Sequence, residues 1–140
     1  MRYLYSLLLY AALPWMFLRL WLKGRRSPGY RNHWRERLGY LEGEFSGAIW
    51  IHAVSVGEMR AAEPLIRALR KRYPDYPLVV TTTTPTGRLT ADQLFGADIC
   101  CRYMPYDLPG ATNRFMEALR RVLCIVMEVE IWPNLYAAVR

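Results

Sequence analysis

Beyond residue 47, short apolar runs alternate with segments whose apolar residues have helical spacing, and this alternation limits the possible folds. Strands that are covered on both faces read as continuous apolar runs, and intervening helices place them parallel to one another. For residues 48–140 we therefore predict an α/β fold, a Rossmann-like parallel sheet with helices on both faces. Its four predicted strands are Ala48–Val54, Leu78–Thr82, Ile99–Met104 and Val122–Met127.

Helical spacing of apolar residues predicts one helix after each strand. Pro64 is expected either to start the first helix or to kink its first turns. Asp107 is expected to be the N-cap of the third helix. The fourth helix reaches Arg140 without a capping residue, so we expect a further domain to follow. The four predicted helices are Met59–Leu69, Thr86–Phe95, Leu108–Leu119 and Pro133–Arg140.

The first 22 residues are predicted to form a membrane anchor helix. Tyr3–Leu22 carries only one charge, Arg19, and is interrupted by Pro14. Twenty helical residues span about 30 Å, the thickness of the hydrocarbon core of a bilayer. The anchor could cross the membrane or lie in one leaflet. A cleaved signal peptide and a buried core helix are the alternatives.

Residues 23–47 are predicted to be a basic juxtamembrane linker, in which Tyr30–Tyr40 is a candidate amphipathic helix on the membrane. Each Lys or Arg near an anionic leaflet contributes about 1 kcal/mol of attraction, and the positive-inside rule places the following residues in the cytoplasm. Nucleic acid is another possible anionic partner, but the preceding apolar helix favours anionic lipid. Between residues 19 and 37 the single acid is Glu36, and the bases are Arg19, Lys23, Arg25, Arg26, Arg31, Arg35 and Arg37.

Composition excludes several classes of protein. The net charge is +7, but only 22% of residues are charged and 14% are aromatic, which excludes a disordered tail. The three cysteines have no C-x-x-C spacing, so neither a disulfide framework nor a zinc site is predicted. A G-x-G-x-x-G loop after the first strand and a P-loop are both missing from the sequence. We therefore predict no zinc site, no dinucleotide cofactor site and no P-loop.

Acidic residues follow the first and fourth strands. If the strand order is 3-2-1-4, these two strands are neighbours where the order reverses, and ligands bind beyond the carboxyl ends of the strands at that point. The loop with Glu58 would then lie beside the loop with Glu128 and Glu130. These carboxylates are candidates for a general base and a charge stabiliser.

Each of these acids also has a structural interpretation. Glu58 lies at a predicted helix N-terminus, where the helix dipole and free N–H groups stabilise a carboxylate. Either Glu128 or Glu130 could cap the following helix.

Other polar residues near the strand ends have two interpretations as well. Gly57 indicates either a positive φ or the close approach of a ligand. Thr84–Gly87 could hold an anion or could form an ordinary N-cap. His52, within an apolar strand, is interpreted as a hydrogen-bonded core histidine rather than a ligand.

Six features of the sequence together resemble the N-terminal domain of the Kdo (3-deoxy-D-manno-octulosonic acid) transferases. The resemblance runs from residue 2 to residue 140 and begins with the apolar N-terminus. The other five motifs are R-x-x-W-x-E-R-x-G at Arg31–Gly39, H-A-V-S-V-G-E at His52–Glu58, T-T-x-T-P-T-G at Thr81–Gly87, P-Y-D-L-P at Pro105–Pro109 and M-E-V-E-I-W-P-N at Met127–Asn134.

The resemblance implies the N-terminal half of a two-domain GT-B glycosyltransferase at the cytoplasmic face of the bacterial inner membrane. Such an enzyme transfers Kdo from CMP-Kdo to lipid A precursor, with inversion and without a metal, in lipopolysaccharide synthesis. It implies that Glu58 is the general base and that Glu128 stabilises the transition state. Acceptor-binding residues are then expected at Ser55, Gly57, Thr84, Thr86, Gly87 and Glu130.

The resemblance also implies that contacts to the sugar nucleotide lie beyond Arg140, so we expect residues 1–140 alone to transfer no sugar. Two other functions fit the sequence. One is a membrane-tethered module that binds an anionic lipid or protein without chemistry. The other is a GT-B lipid glycosyltransferase that uses a uridine sugar nucleotide.

Overall fold

A four-stranded sheet with helices on both sides forms the body of the protein. The computed structural model describes residues 2–43, 45–120, 123–128 and 130–139. The strands are β1 (Ile49–His52), β2 (Leu78–Thr82), β3 (Cys100–Tyr103) and β4 (Leu123–Val126). The helices are α1 (Arg2–Lys23), α2 (Trp34–Arg37), α3 (Val56–Arg72), α4 (Pro85–Phe95), α5 (Pro109–Leu119) and α6 (Pro133–Ala138).

The sheet is parallel and has the order β3-β2-β1-β4. Ile49, at the start of β1, is in register with Leu78 of β2 and Leu123 of β4. The predicted strand order and the predicted switch point between β1 and β4 are therefore confirmed. The predicted bounds of β2 are also confirmed, and β1 and β3 are slightly shorter at both ends than predicted. β4 ends one residue earlier than predicted, and Val122, its predicted start, lies outside the described residues.

Two separate apolar cores cover the two faces of the sheet. Ile51 packs with Met59 of α3 on one face. Trp50, the next residue along β1, packs on the other face against Phe115 of α5, with ring centroids 5.1 Å apart. Because neighbouring side chains of a strand point to opposite faces, the alternation along β1 requires helices on both. The predicted α/β class is confirmed.

Helix α3 is longer at both ends than the predicted Met59–Leu69. Helix α6 ends at Ala138, and Arg140, the last residue of the predicted helix, lies outside the described residues.

Two expectations about single residues of the helices are also corrected. Pro64 lies inside α3, which starts eight residues earlier at Val56. The expectation that Asp107 caps α5 is wrong, because its carboxylate accepts the backbone N–H groups of Asn134 (3.1 Å) and Leu135 (2.8 Å) and so caps α6. The first amides of a helix have no partner within the helix, and α6 obtains its partner from this aspartate.

The continuous amphipathic helix predicted over Tyr30–Tyr40 is not formed. A 3₁₀ turn (Pro28–Arg31) and the single turn of α2 replace it. His33 interrupts them with a left-handed backbone (φ 58°), which an L-residue in a continuing helix does not adopt. Both Glu36 and Arg37 are buried, so this segment packs on the protein.

Helix α1 is long and apolar enough to cross a membrane, with a mean hydropathy of 1.3, although one such helix is weak evidence of membrane association. Only 11% of its most apolar stretch is buried, which disagrees with the alternative of a core helix. Pro14 lies within α1 and does not end it.

Gly39 permits the turn after α2 to approach α5. Its φ is +85°, and a Cβ there would lie 2.0 Å from the Ala111 carbonyl oxygen, whereas Gly47 (φ +78°) has open space around it. We expect Gly47→Ala to cost about 1–2 kcal/mol, the cost of a left-handed non-glycine residue. Gly39→Ala should cost about 1–3 kcal/mol more because of the clash.

The measurement is the free energy of unfolding in urea for both variants. Equal losses of unfolding free energy in the two variants would show that Gly39 is required only for its positive φ, and not for close packing on α5.

Candidate functional site

The turn from β1 into α3 fixes the Glu58 carboxylate. Ser55 is the N-cap of α3, and its hydroxyl accepts the Glu58 N–H (3.3 Å). In return, Glu58 Oε1 accepts the Ser55 hydroxyl (2.8 Å) and Oε2 accepts the Val54 N–H (2.8 Å). This is a variant of the capping box, in which the glutamate reaches one residue further back than usual.

The structural interpretation of Glu58 is therefore observed directly: it stabilises the first turn of α3. An ionised carboxylate offers about four lone pairs, and these two hydrogen bonds occupy two of them. The half-buried Glu58 carboxylate is thus held in one orientation and retains capacity to accept a proton. Its catalytic role stays a prediction.

Gly57 lies beside this carboxylate in the first turn of α3. Its predicted positive φ is wrong, because the residue is helical. A Cβ at this position would meet only the Ser55 Oγ, at 3.8 Å, and the residue is exposed. The space in front of this helix end is open, which is compatible with the predicted approach of a ligand.

The turn from β2 into α4 lies against the Ser55 turn. The Thr82 hydroxyl donates to the Val54 carbonyl (2.9 Å), which ties the two turns together. Thr84 is the N-cap of α4 and accepts the Gly87 N–H (3.1 Å), as the N-cap interpretation predicts. The exposed Thr86 donates its hydroxyl to the Thr84 Oγ1 (3.3 Å). A Cβ at Gly87 would lie 2.3 Å from the Thr82 Oγ1, so this glycine permits close packing of α4 on β2.

Glu130 connects the loop after β4 to β1. Its Oε2 accepts the Trp132 indole N–H (2.8 Å) and lies 3.0 Å from the His52 Nε2. On the other side of the ring, the His52 Nδ1 lies 2.8 Å from the Thr81 Oγ1. The interpretation of His52 as a hydrogen-bonded core histidine is confirmed. Neither glutamate of this loop caps α6.

The hydrogen-bond pattern assigns the proton on His52. The Trp50 indole N–H can only donate, and it donates to the Thr81 Oγ1 (2.8 Å). The Thr81 hydroxyl is then free to donate to the His52 Nδ1, so that the Nε2–H donates to Glu130. Burial lowers the pKa of His52 despite the opposing effect of the Glu130 carboxylate, which favours a neutral ring.

Glu128 lies in the same loop and is exposed. The Met127 N–H donates to the His52 carbonyl (3.0 Å) and so keeps the start of this loop beside β1. The topology therefore places Glu128 and Glu58 on adjacent loops at one edge of the sheet, as predicted. The side-chain contacts with β1 are made by Glu130.

Glu36 forms a buried ionic cluster at the same edge, which the sequence did not reveal. Its carboxylate accepts the Tyr103 N–H (2.8 Å) and the Arg88 guanidinium (2.6 and 3.3 Å). Burial lowers the pKa of Arg88, but the bonds and charge of Glu36 more than compensate, and the pKa is raised overall. Arg88 is 52 positions from Glu36 in the chain, so the sequence does not reveal this pair. The one hint in the sequence was that Glu36 is a single acid among seven bases between residues 19 and 37.

Arg37 is also held by the protein rather than facing the membrane. Its Nη2 donates to the Thr83 carbonyl (3.1 Å), and its guanidinium lies 4.2 Å from the centre of the Tyr103 ring. The expectation that Arg37 contributes to lipid attraction is therefore wrong. The other six bases between residues 19 and 37 are exposed.

A groove of about 440 Å³ runs between α1 and the loops that follow β2 and β3. Thr84 lies in its wall, which connects the groove to the site described above. Two cations lie on the α1 side beside apolar side chains. Its lining includes Leu9, Ala12, Trp15, Met16, Arg19, Lys23, Thr83, Thr84 and Tyr106.

Sequence similarity to known proteins identifies the family of this chain. The profile described as 3-deoxy-D-manno-octulosonic-acid transferase (kdotransferase) matches residues 32–140. The 3-deoxy-D-manno-octulosonic acid transferase of Haemophilus influenzae is 41% identical over 96% of this chain, and that of Bordetella pertussis is 39% identical over 99%. This chain belongs to the kdotransferase family.

The kdotransferase match extends to a plant protein and covers only part of each relative. The probable mitochondrial 3-deoxy-D-manno-octulosonic acid transferase of Arabidopsis thaliana is 32% identical over 96% of this chain. The chain spans about a third of the length of these kdotransferases, namely 32%, 34% and 31%. The profile includes Glu36, Glu58 and the loop after β4, and it starts after α1.

The neutral His52 predicts how stability depends on pH in this kdotransferase chain. A pKa below the ordinary value of 6.5 means that the unfolded chain binds more protons below that pH, so stability falls as the pH falls from about 6.5. In His52→Gln, the urea midpoint should fall less between pH 7 and 5 than in the parent protein. The variant should also be less stable at pH 7 by about 1–3 kcal/mol, since it disrupts buried hydrogen bonds.

The control is His33→Asn, which removes the other histidine and keeps a residue that tolerates a left-handed backbone. It retains His52 and should retain the pH dependence that His52 causes. Identical pH dependence in His52→Gln and the parent protein would contradict a neutral, buried His52.

Proposed function

We propose that this chain belongs to the acceptor-binding domain of an inverting Kdo transferase of the GT-B type. The reaction is transfer of Kdo from CMP-Kdo to lipid A precursor (lipid IVA) in the synthesis of the lipopolysaccharide inner core. The observation that carries the proposal is the Glu58 carboxylate, oriented by two hydrogen bonds beside an open helix end at the switch point of the sheet. The family membership supports the choice of sugar.

Glu58 acts as the general base in this proposal. Its carboxylate takes the proton of the acceptor hydroxyl while the oxygen attacks the anomeric carbon of Kdo and CMP leaves with the bonding electrons. A sugar hydroxyl is a weak nucleophile, and a positioned base contributes about 10²–10⁴-fold to such a step. The proton goes to a lone pair of the Glu58 carboxylate that is not used by the hydrogen bonds from Ser55 and Val54. The step needs no metal.

Glu128 and Glu130 have different parts in this proposal. The exposed Glu128 stabilises the positive charge that develops on the anomeric carbon. Glu130 is anchored to His52 and Trp132; it holds the loop in place and offers its remaining lone pairs to the acceptor. Ser55, Gly57 and the Thr84–Gly87 turn complete the acceptor site.

The groove beside α1 suits an acceptor that is both apolar and anionic. Apolar side chains of α1 can contact acyl chains, and Arg19 and Lys23 can bind phosphate groups. The groove reaches Thr84, so an amphiphile within it would present its polar head to the Glu58 turn. We place the protein at the cytoplasmic face of the inner membrane, where α1 and the six exposed bases contact anionic lipid.

The proposal is tested by Glu58→Gln in the whole transferase. The amide retains the size of the side chain but removes the base, so kcat should fall by at least about 10²-fold. Binding of the lipid acceptor should change by no more than a few-fold. Initial rates of Kdo transfer and acceptor binding are measured on one preparation.

Two variants separate catalysis from capping. Ser55→Ala removes the N-cap hydroxyl but keeps the carboxylate, so it should cost about 1 kcal/mol of stability and far less rate than Glu58→Gln. Glu63→Gln changes another glutamate of α3, one paired with Arg67 at 2.9 Å, and should leave kcat near that of the parent enzyme. A Glu58→Gln enzyme with near-normal kcat would exclude the role as base.

The donor is tested by competition. If CMP-Kdo is the donor, CMP should inhibit transfer by the whole enzyme much more strongly than UDP does, since CMP is the product that leaves the same site. Stronger inhibition by UDP would favour a lipid glycosyltransferase that uses a uridine sugar nucleotide.

A further inference from the structure

Helix α1 is attached to the globular domain along most of its length. Near the start of α1, the Ser6 hydroxyl donates to the Asn134 Oδ1 (3.1 Å). About one turn further along, the Tyr10 hydroxyl accepts the Gly110 N–H (3.3 Å). Near its end, Phe17 packs on Trp34 with ring centroids 5.0 Å apart, and Leu20 is buried. From Ser6 to Leu20 the attached stretch measures about 21 Å.

The opposite side of α1 is an apolar stripe. At 100° per residue, its members fall within about one third of the helix circumference, roughly opposite Ser6 and Leu20. The large members are 47–66% exposed, and they include no charged residue. This outer stripe consists of Leu4, Leu7, Leu8, Ala11, Trp15, Leu18 and Leu22.

The borders of the outer stripe suit a lipid headgroup region. Aromatic rings with a polar atom, Tyr3, Tyr10 and Trp21, lie along one border and are exposed. Two cations, Arg19 and Lys23, lie along the other border. Beyond the end of α1, four more exposed bases follow, and the one acid of the segment is buried in the Glu36 cluster.

A transmembrane position would bring the domain into the bilayer. Contacts with the domain extend over about 21 Å of a hydrocarbon core that is about 30 Å thick. Two of the partners of α1, Gly110 and Asn134, belong to α5 and α6, and α5 exposes Asn113, Arg114 and Glu117. A charged side chain is strongly disfavoured at the centre of a bilayer. Alternatively, α1 would have to detach and lose every one of these contacts.

We propose that α1 is an in-plane anchor, which lies in a single leaflet of an anionic membrane with its outer stripe in the lipid and its inner side on the domain. The proposal deepens the proposed function and rests on its membrane association. An interfacial helix buries its apolar face about 5–10 Å below the headgroups. Six exposed bases supply electrostatic attraction to anionic lipid.

This arrangement brings the carboxyl edge of the sheet to the membrane surface. The α1 partners Tyr106 and Asn134 follow β3 and β4, and Thr84, which lines the groove with α1, follows β2; all three lie at the edge where Glu58 lies. The groove beside α1 then opens laterally toward the leaflet. A lipid acceptor could reach the Glu58 turn without leaving the membrane surface.

Depth measurements along α1 test the proposal. Single cysteines replace Leu4, Leu13 and Leu22 in the whole transferase, in a background that retains transfer activity and has serine at every native cysteine, including Cys100, Cys101 and Cys124. Each carries a spin label, and label depth is measured in vesicles of phosphatidylethanolamine and phosphatidylglycerol. Leu4 and Leu22 lie in the outer stripe, about 27 Å apart along the helix, and Leu13 lies on the inner side between them.

An in-plane anchor predicts similar shallow depths at Leu4 and Leu22, about 5–10 Å below the headgroups, and a label at Leu13 that lipid does not reach. A spanning helix predicts the reverse, with Leu13 deepest and the two other labels near opposite surfaces, and this result would overturn the proposal. Labels that all remain in water would overturn it too.

Transfer activity is measured on the same preparations and keeps the two proposals apart. Normal transfer with a spanning depth pattern would contradict the in-plane anchor and leave the proposed reaction intact. Shallow depths without Kdo transfer by the parent enzyme would contradict the proposed reaction and support the anchor.

Discussion

The hydrogen bonding of β1 to two parallel neighbours is the constraint on which the site depends. Because β1 pairs with β2 on one side and β4 on the other, the chain turns outward at one edge of the sheet after all three strands. The Ser55 turn, the Thr84 turn and the loop with Glu128 and Glu130 therefore meet there. Hydrogen bonds then fix these turns. The Thr82 hydroxyl donates to the Val54 carbonyl, the Glu58 carboxylate accepts the Val54 N–H just before α3, and the Glu130 carboxylate lies within hydrogen-bond distance of His52.

The Glu36 cluster connects this edge to the N-terminal part of the chain. A buried carboxylate is tolerated when charges and hydrogen bonds replace water, and here Arg88 of α4 and the Tyr103 amide of β3 supply them. The cluster holds α2 on the sheet, and Trp34 of α2 in turn contacts Phe17 of α1. A chain of contacts thus links the apolar helix α1 to the edge of the sheet that carries the candidate site.

Much of the sheet could be predicted from sequence because its strands are apolar on both faces, as in Leu78–Thr82, and because the strand order determines which loops meet. Contacts between distant residues carry no local signal, so the sequence did not reveal the Glu36–Arg88 pair. Tyr30–Tyr40 was predicted to be an amphipathic helix on the membrane, whereas the left-handed His33 and the buried Arg37 show a segment folded onto the domain. Asp107 was assigned to the nearest helix, and the fold uses it for α6 instead.

The most direct test of Glu58 as the base is chemical rescue in the whole transferase. Glu58→Ala leaves a space at the start of α3 that a small carboxylate such as formate can occupy. If Glu58 accepts the proton of the acceptor hydroxyl, added formate should raise the slow transfer rate of Glu58→Ala, and it should not accelerate the parent enzyme. A folded Glu58→Ala enzyme that is as fast as the parent, or whose slow rate does not respond to formate, would contradict the role as base and leave Glu58 as the cap of α3.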